Sequence, residues 1–417
     1  MATAAREAGA YTLLVAFFNP FRPAYMEDPY PALHRLRAEE PVHWSRELDA
    51  WVLTRYEDCL RVLQDDDAFS SDPVKARGEF GREVARKRAG TPLGLAPIMG
   101  NTDPPDHSRL RNIVNRGFTP RVMEAMRPGI EGVCDELLGE WEPGEPFEVI
   151  SRLAEPLAIS AVLEHLGVPR EGWGLFRECS LALMRARAEG AGEPGVIEAA
   201  EQARGEMLDY LARVAETRDS DGGESQADIL SVLLEACDDE AIEPDEMLMM
   251  LIHISLAGNG PTAMALGNAA WLLAQQPDAQ RFLLANPDRL PGAIEELLRF
   301  DSSTHFVVRF ANEAATIGAR AIQPGQQIHV MVAAANRDPE RFREPDVLDF
   351  SRTENRHLSF GYGVHFCLGA PLARLELNIA MAKLMERGTP FRALDWERGG
   401  TYQLRGLRSL RIEMLAE

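Results

Sequence analysis

The chain has 417 residues, 45% of them hydrophobic and 26% charged, an ordinary globular mix that argues against disorder along its length and allows a large core. Its 44 Lys and Arg against 65 Asp and Glu give a formal net charge of −21, a field that repels phosphate backbones and anionic lipid and so disfavours nucleic acid as a partner. Five scattered cysteines (Cys59, Cys134, Cys179, Cys237 and Cys367), with no C-x-x-C pair, disfavour a zinc site or a disulfide framework.

In chain order, the apolar stretch at residues 11–18 is far shorter than the roughly 20 residues a spanning helix needs. It runs into Asn19-Pro20 and follows no positive cluster, so neither a membrane span nor a signal peptide is expected and the cytoplasm is the default address. Residues 50–54, 306–311 and 327–332 read as short strands. Residues 73–94 and 218–226 read as loose, the second as a surface loop. Elsewhere helical stretches are punctuated by Pro120, Pro156, Pro169, Pro244, Pro277, Pro287 and Pro291. The fold class expected is mainly α with a small β region (α+β), in one domain over residues 1–417. Nothing suggests an obligate dimer, so a monomer is expected.

The longest periodic segment, residues 244–276, predicts a helix of roughly 45–50 Å. It is apolar nearly all round and should be buried. Its middle, Ala257-Gly258-Asn259-Gly260-Pro261-Thr262, is a poor helix-forming run, which points to selection for something other than helix stability.

Phe360-Gly361-Tyr362-Gly363-Val364-His365-Phe366-Cys367-Leu368-Gly369 crowds three glycines near one cysteine and leads into a helical run with Pro371 early in it. Cys367 thus sits at a helix N-terminus, where exposed N–H groups favour a thiolate. A buried structural cysteine in a tight turn would explain the glycines alone. The whole pattern F-G-x-G-x-H-x-C-x-G is more specific: it resembles the haem-binding signature of the bacterial cytochrome P450 family.

That resemblance implies haem b (iron protoporphyrin IX) held between the long distal helix and the helix after the cysteine loop, with Cys367 as the iron ligand. Glu296-Leu297-Leu298-Arg299 resembles the family's E-x-x-R helix, whose Glu296 and Arg299 would lock it to a meander around Asn336-Arg337-Asp338-Pro339. By the same resemblance His107, Arg111, Arg309 and His365 would hold the haem propionates, and Phe360, Gly361 and Gly369 would shape the cofactor's bed. His253, Leu256, Thr304, His305, Val307 and Leu404 would approach a small-molecule substrate, with the two histidines and the threonine suggesting polar or anionic recognition.

The chain departs from the family where it matters for chemistry. Most oxygen-activating members carry an acid and then Thr or Ser just after the Ala-Gly of the long helix, and this chain has Gly260 and Pro261. Thr262 comes one residue late, roughly 100° further round. Pro261 has no N–H for the carbonyl of Ala257, so a kink is expected. Two enzyme readings follow. One is a monooxygenase of specialised metabolism that obtains protons through water, a substrate hydroxyl, Asn259, Thr262 or His253. The other uses peroxide, or a substrate with its own activated N–O or O–O bond. A non-catalytic haem fold for recruitment or sensing is the rival from another class, and the intact cysteine loop argues against it. With dioxygen, electrons would come from a ferredoxin and ferredoxin reductase, and Arg109, Arg116, Arg121 and Arg374 are expected to form a basic docking patch.

Overall fold

The computed structural model describes residues 18–90, 98–139, 141–142, 144–189, 195–220, 228–388 and 390–415. The apolar stretch at residues 11–18 therefore lies outside the described residues except for Phe18. Helices dominate: α1 Tyr30–Glu39, α2 Tyr56–Gln64, α3 Gly78–Gly90, α4 Asp106–Val114, α5 Pro120–Gly139, α6 Glu155–Leu166, α7 Trp173–Glu189, α8 Val196–Ser220, α9 Ile229–Asp238, α10 Pro244–Ala274, α11 Pro277–Ala285, α12 Leu290–Phe300 and α13 Ala370–Gly388. The strands are β1 Val42–Ser45, β2 Ala50–Leu53, β3 Phe69–Ser70, β4 Phe147–Glu148, β5 Val307–Ala311, β6 Ala315–Ile317, β7 Arg320–Ile322, β8 Gln327–Val330, β9 Phe391–Gly400 and β10 Arg405–Met414. A mainly helical fold with small sheets is what the residues predict.

The largest sheet has the order β1-β2-β8-β5-β3. Within it β2 and β8 are parallel and the other pairs antiparallel. A second sheet orders β4-β10-β9, and β6 pairs with β7. The predicted strands thus exist, with the last ending at Val330 because residues 332–335 turn into a short helix.

Two stretches expected to be loose are partly ordered. Residues 78–90 form α3, since alternating charge and alanine give the segment adequate helix propensity. Residues 218–220 close α8, and Arg218 there holds Asp228 at 2.7 Å. Residues 91–94 and 221–226 lie outside the described residues.

The long helix α10 runs unbroken through Pro261. Its start is fixed by Pro244 in the first turn and by reciprocal capping between Glu243 and Glu246. Its C-terminal half packs into a core with α5, α6, α12 and α13, and its N-terminal half into another with α4, α6, α8 and α9. A helix so enclosed must be apolar on all faces. No described helix is long and apolar enough to cross a membrane.

Candidate active site

The cysteine loop is a built backbone shape. Gly361 and Gly363 have φ of 70° and 73°, a region open to glycine at little cost. A Cβ on Gly363 would also lie 2.3 Å from the carbonyl oxygen of Leu63, on α2. The Cys367 N–H donates to the Phe360 carbonyl at 2.8 Å and closes the loop. Cys367 is exposed, and the space it faces is a large cavity. Burial raises its thiol above the ordinary value, while the N–H of Gly369, the Arg111 guanidinium, the Ala370 N–H and Arg374 pull it back without cancelling the rise. The helix N-terminus alone does not make a thiolate here; a bound cation would.

Behind the loop, Glu296 and Arg299 are fully buried and doubly bonded, Nε to Oε2 and Nη2 to Oε1, both at 2.7 Å. Arg299 also donates to the carbonyls of Asn336 and Pro345 at 2.8 Å. Glu296 accepts from Asp349 N–H, Arg352 and Asn355 at 3.0–3.1 Å. A buried ion pair is tolerable only with its remaining lone pairs and protons satisfied, and here they are. The pair ties α12 to the segment after β8, at the Asn336 position expected.

The cavity has a volume of about 570 Å³. On it converge the cysteine loop, the start of α4, strand β5 and the middle of α10. His107 and His365 lie against each other with ring centroids 4.1 Å apart and planes tilted by 47°, and neither His107 nitrogen, nor Nε2 of His365, has a hydrogen-bond partner among the described residues although all are buried. Arg309 is buried, held well below its usual range at about 10 by burial, and among the described residues donates only to the neighbouring Val308 carbonyl at 2.9 Å. Arg111 reaches the Val364 carbonyl at 3.4 Å. Four basic side chains with spare donors beside one thiol fit a flat, metal-bearing ligand carrying two carboxylates, which is what haem b is.

The long helix presents two faces to two different spaces. Ala257, Gly258, Pro261 and Thr262 line the main cavity, whereas Asn259 and Gly260 line a second cavity of about 180 Å³ behind it. Asn259 as a direct proton route is therefore corrected: it points the other way round the helix. Thr262, though a residue late, does reach the main cavity. His253 lines it too, with burial lowering its imidazole to about 4. Its ring leaves no room at Gly100, where a Cβ would meet the ring at 2.9 Å.

Of the expected substrate contacts, Thr304 and Val307 line the main cavity. His305, Leu404 and Leu256 do not. His305 is buried against Tyr30, its N–H donating to the Gln403 carbonyl at 2.8 Å. Leu404 pairs across a bridge with Thr304, which turns Gln403 into the cavity in its place. Leu256 packs with the helical core of α4, α8 and α9, because one residue of helix rotation carries it off the cavity face. Sequence reasoning missed Phe80, Met99, Gly100 and Asn101, which also line the cavity, and the buried Glu376. Gln403 lies in the bend between β9 and β10, and nothing local flags it or the residues near 100.

The basic patch is also corrected. Arg109 holds Glu246, Arg116 holds Glu235 at 2.6 Å and Arg374 holds Glu295 at 2.7 Å, so three of the four arginines are matched by carboxylates. Arg374 and His357 together outweigh burial and hold the Glu295 carboxyl at about 2. What the loop exposes beside them is apolar: Tyr362, Val364 and Phe366.

Residues 195–389 match the family model described as Cytochrome P450. Cytochrome P450 107B1 of Saccharopolyspora erythraea is 37% identical over 381 residues, covering 88% of this chain and 89% of that protein. Nocardicin C N-oxygenase of Nocardia uniformis subsp. tsuyamanensis is 34% identical, covering 91% and 94%. The crystal structure of CalO2 superposes with a TM-score of 0.88 at 31% identity, covering 96% of this chain and 99% of that one.

Proposed function

The chain belongs to the cytochrome P450 family, an oxidoreductase using haem b, and from that premise we propose that it is a dioxygen-dependent monooxygenase of specialised metabolism acting on a neutral, oxygen-bearing small molecule. The relatives above, one of them named as an N-oxygenase, support the monooxygenase and specialised-metabolism parts. The observation that carries the reading is a single cavity shared by Cys367, the four basic side chains and the middle of α10.

Cys367 would ligate the iron, and His107, Arg111, Arg309 and His365 would receive the propionates, with the guanidinium forks suited to carboxylate. Phe360, Gly361 and Gly369 would form the bed beneath the ring. Bound there, the haem supplies the oxygen chemistry, its thiolate ligand favouring cleavage of the oxygen–oxygen bond. The balance is one substrate C–H or N–H, one dioxygen, two electrons and two protons giving the oxygenated product and water. Electrons would come from a ferredoxin, docking on the exposed Tyr362, Val364 and Phe366 as much as on charge.

The substrate's place is read from what remains. With Arg111 and Arg309 committed to propionates, His253, Thr304, Asn101 and Gln403 are among the polar contacts left in a mostly apolar space. His253 is neutral at neutral pH, so it offers a hydrogen bond rather than a charge. Thr262 supplies an alcohol to the same cavity, the function that Pro261 cannot perform.

Gly260 and Pro261 keep a second reading in view: peroxide, or a substrate with its own activated bond, in place of dioxygen and electrons. The haem-loaded protein, a plant ferredoxin with its reductase, NADPH and a panel of macrolactones and amino-acid-derived amides decide between them. Product one oxygen heavier, formed only with NADPH and lost in Cys367→Ser, is expected. Product formed equally with hydrogen peroxide alone, and not with NADPH, would overturn the dioxygen reading.

A further inference from the structure

The second cavity lies behind the weak middle of α10, on the side where the family's acid would project from residue 260. Its lining includes Glu155 of α6, Arg177 and the buried Ser180 of α7, Asn259, Gly260 and Arg408. The lining is more apolar than polar, but these polar groups give water its partners, and a space of about 180 Å³ has room for several waters. Glu155 is the one carboxylate among the described residues lining it.

We propose that Glu155 is the proton donor of this enzyme, delivering through water in the second cavity the proton that the family's acid would deliver from position 260. The inference rests on the dioxygen-dependent reading. Three observations support it. The 260 position faces this cavity, so whatever replaces the acid must act from the same side. Glycine at 260 leaves no side chain in the way, and Pro261 has no N–H to occupy the Ala257 carbonyl, so a water chain crossing there finds an acceptor beside the main cavity. Thr262, already in that cavity, is a hydroxyl that can receive and pass on a proton.

The electrostatics agree with the geometry. Burial raises the Glu155 carboxyl above the ordinary range, Arg177 of α7 pulls it down and Glu148 of β4 pushes it up, the balance being a rise. Arg408 of β10 also faces the cavity but is paired with Glu397 at 2.8 Å. Glu148 is occupied by the Ser151 and Leu410 N–H groups at 2.5 and 2.8 Å. A carboxyl that keeps its proton closer to neutral pH is the better acid. Glu155 is also partly open to solvent, which lets it recover a proton after each transfer.

The proposal is testable without the substrate. Two-electron reduction of dioxygen to hydrogen peroxide takes up two protons, whereas one-electron release as superoxide takes none. The haem-loaded enzyme, run with ferredoxin, reductase and NADPH alone, therefore reports proton delivery as the superoxide-to-peroxide ratio. Glu155→Gln should raise that ratio about tenfold and shrink the solvent isotope effect, a conservative share of what a general acid contributes. Glu155→Asp should keep the wild-type ratio, and adding Gly260→Asp to Glu155→Gln should bring it back. Infrared spectra of the resting enzyme should show a protonated-carboxyl band, shifted in deuterated water, that Glu155→Gln removes. A ratio within twofold of wild type in Glu155→Gln, with no band lost, overturns the assignment of Glu155 and leaves the dioxygen reading standing. A wild-type enzyme that releases only superoxide, with no isotope effect, overturns both.

Discussion

The two sides of the main cavity are held by different physics. On the cysteine side Glu296 accepts hydrogen bonds from four residues, Arg299 donates to three distant carbonyls, and Asn336 bridges Ser302, Ser359 and the Leu358 N–H. On the distal side the stretch of α10 at the cavity is positioned by packing: Gly258 against Val162 and His253 against Gly100. Directional bonds fix residue types, so that side can change little. Packing fixes volume, so the distal side can lose an acid and an alcohol and keep its place. Specialisation of this chain is accordingly concentrated on α10 and the elements behind it.

Mutations can break that contrast. Arg299→Ala breaks the fully buried pair and leaves Glu296 with Arg352 as its remaining cation; a broken buried pair costs about 3–5 kcal/mol, and equilibrium denaturation should show a loss towards the lower end of that range. Gly363→Ala adds a Cβ at φ 73° against the Leu63 carbonyl, and strain plus overpacking should cost about 2–4 kcal/mol with reduced haem retention on gel filtration. An equal stability in either variant would remove the claim that the cysteine side is over-determined.

Acid should find the packed regions. His165 and His329 are held neutral at about 4 and His305 at about 3, burial being the main cause in each. Each folded value lies below the unfolded one of roughly 6.5. The unfolded chain therefore binds more protons, and stability falls as pH drops from about 6.5 towards 4. At pH 5 each should cost at most about 2 kcal/mol relative to pH 7. His165→Phe should flatten the urea-midpoint dependence over that window, and an unchanged slope would contradict the burial argument. Smaller still, Gly258→Ala should cost about 1–3 kcal/mol by overpacking on Val162, with Val162→Ala returning part of it.

The same contrast explains what could be read from the residues. The cysteine loop, the Glu296–Arg299 pair and the Asn336 partner were legible through the family resemblance, which such sites carry because backbone shape and directional bonds demand particular residues at fixed spacing. The length and burial of α10 were legible from its apolar run. The facing of single residues was not. Asn259, Leu256, His305 and Leu404 were all expected at the cavity and all turn away, since one residue of helix rotation or strand alternation decides the direction and is set by distant packing. The ion pairs of Arg109, Arg116 and Arg374 were hidden for the same reason: their partners come from α9, α10 and α12.

The central claim is that a distal side without the usual acid and alcohol still uses dioxygen. The most direct measurement is isotopic: the enzyme is turned over with ferredoxin, reductase and NADPH under labelled dioxygen in ordinary water, and the product's new oxygen is weighed. Incorporation of one labelled atom, with electron use matched to product, is the predicted result. Product oxygen that stays unlabelled, or product formed without any electron supply, would contradict it.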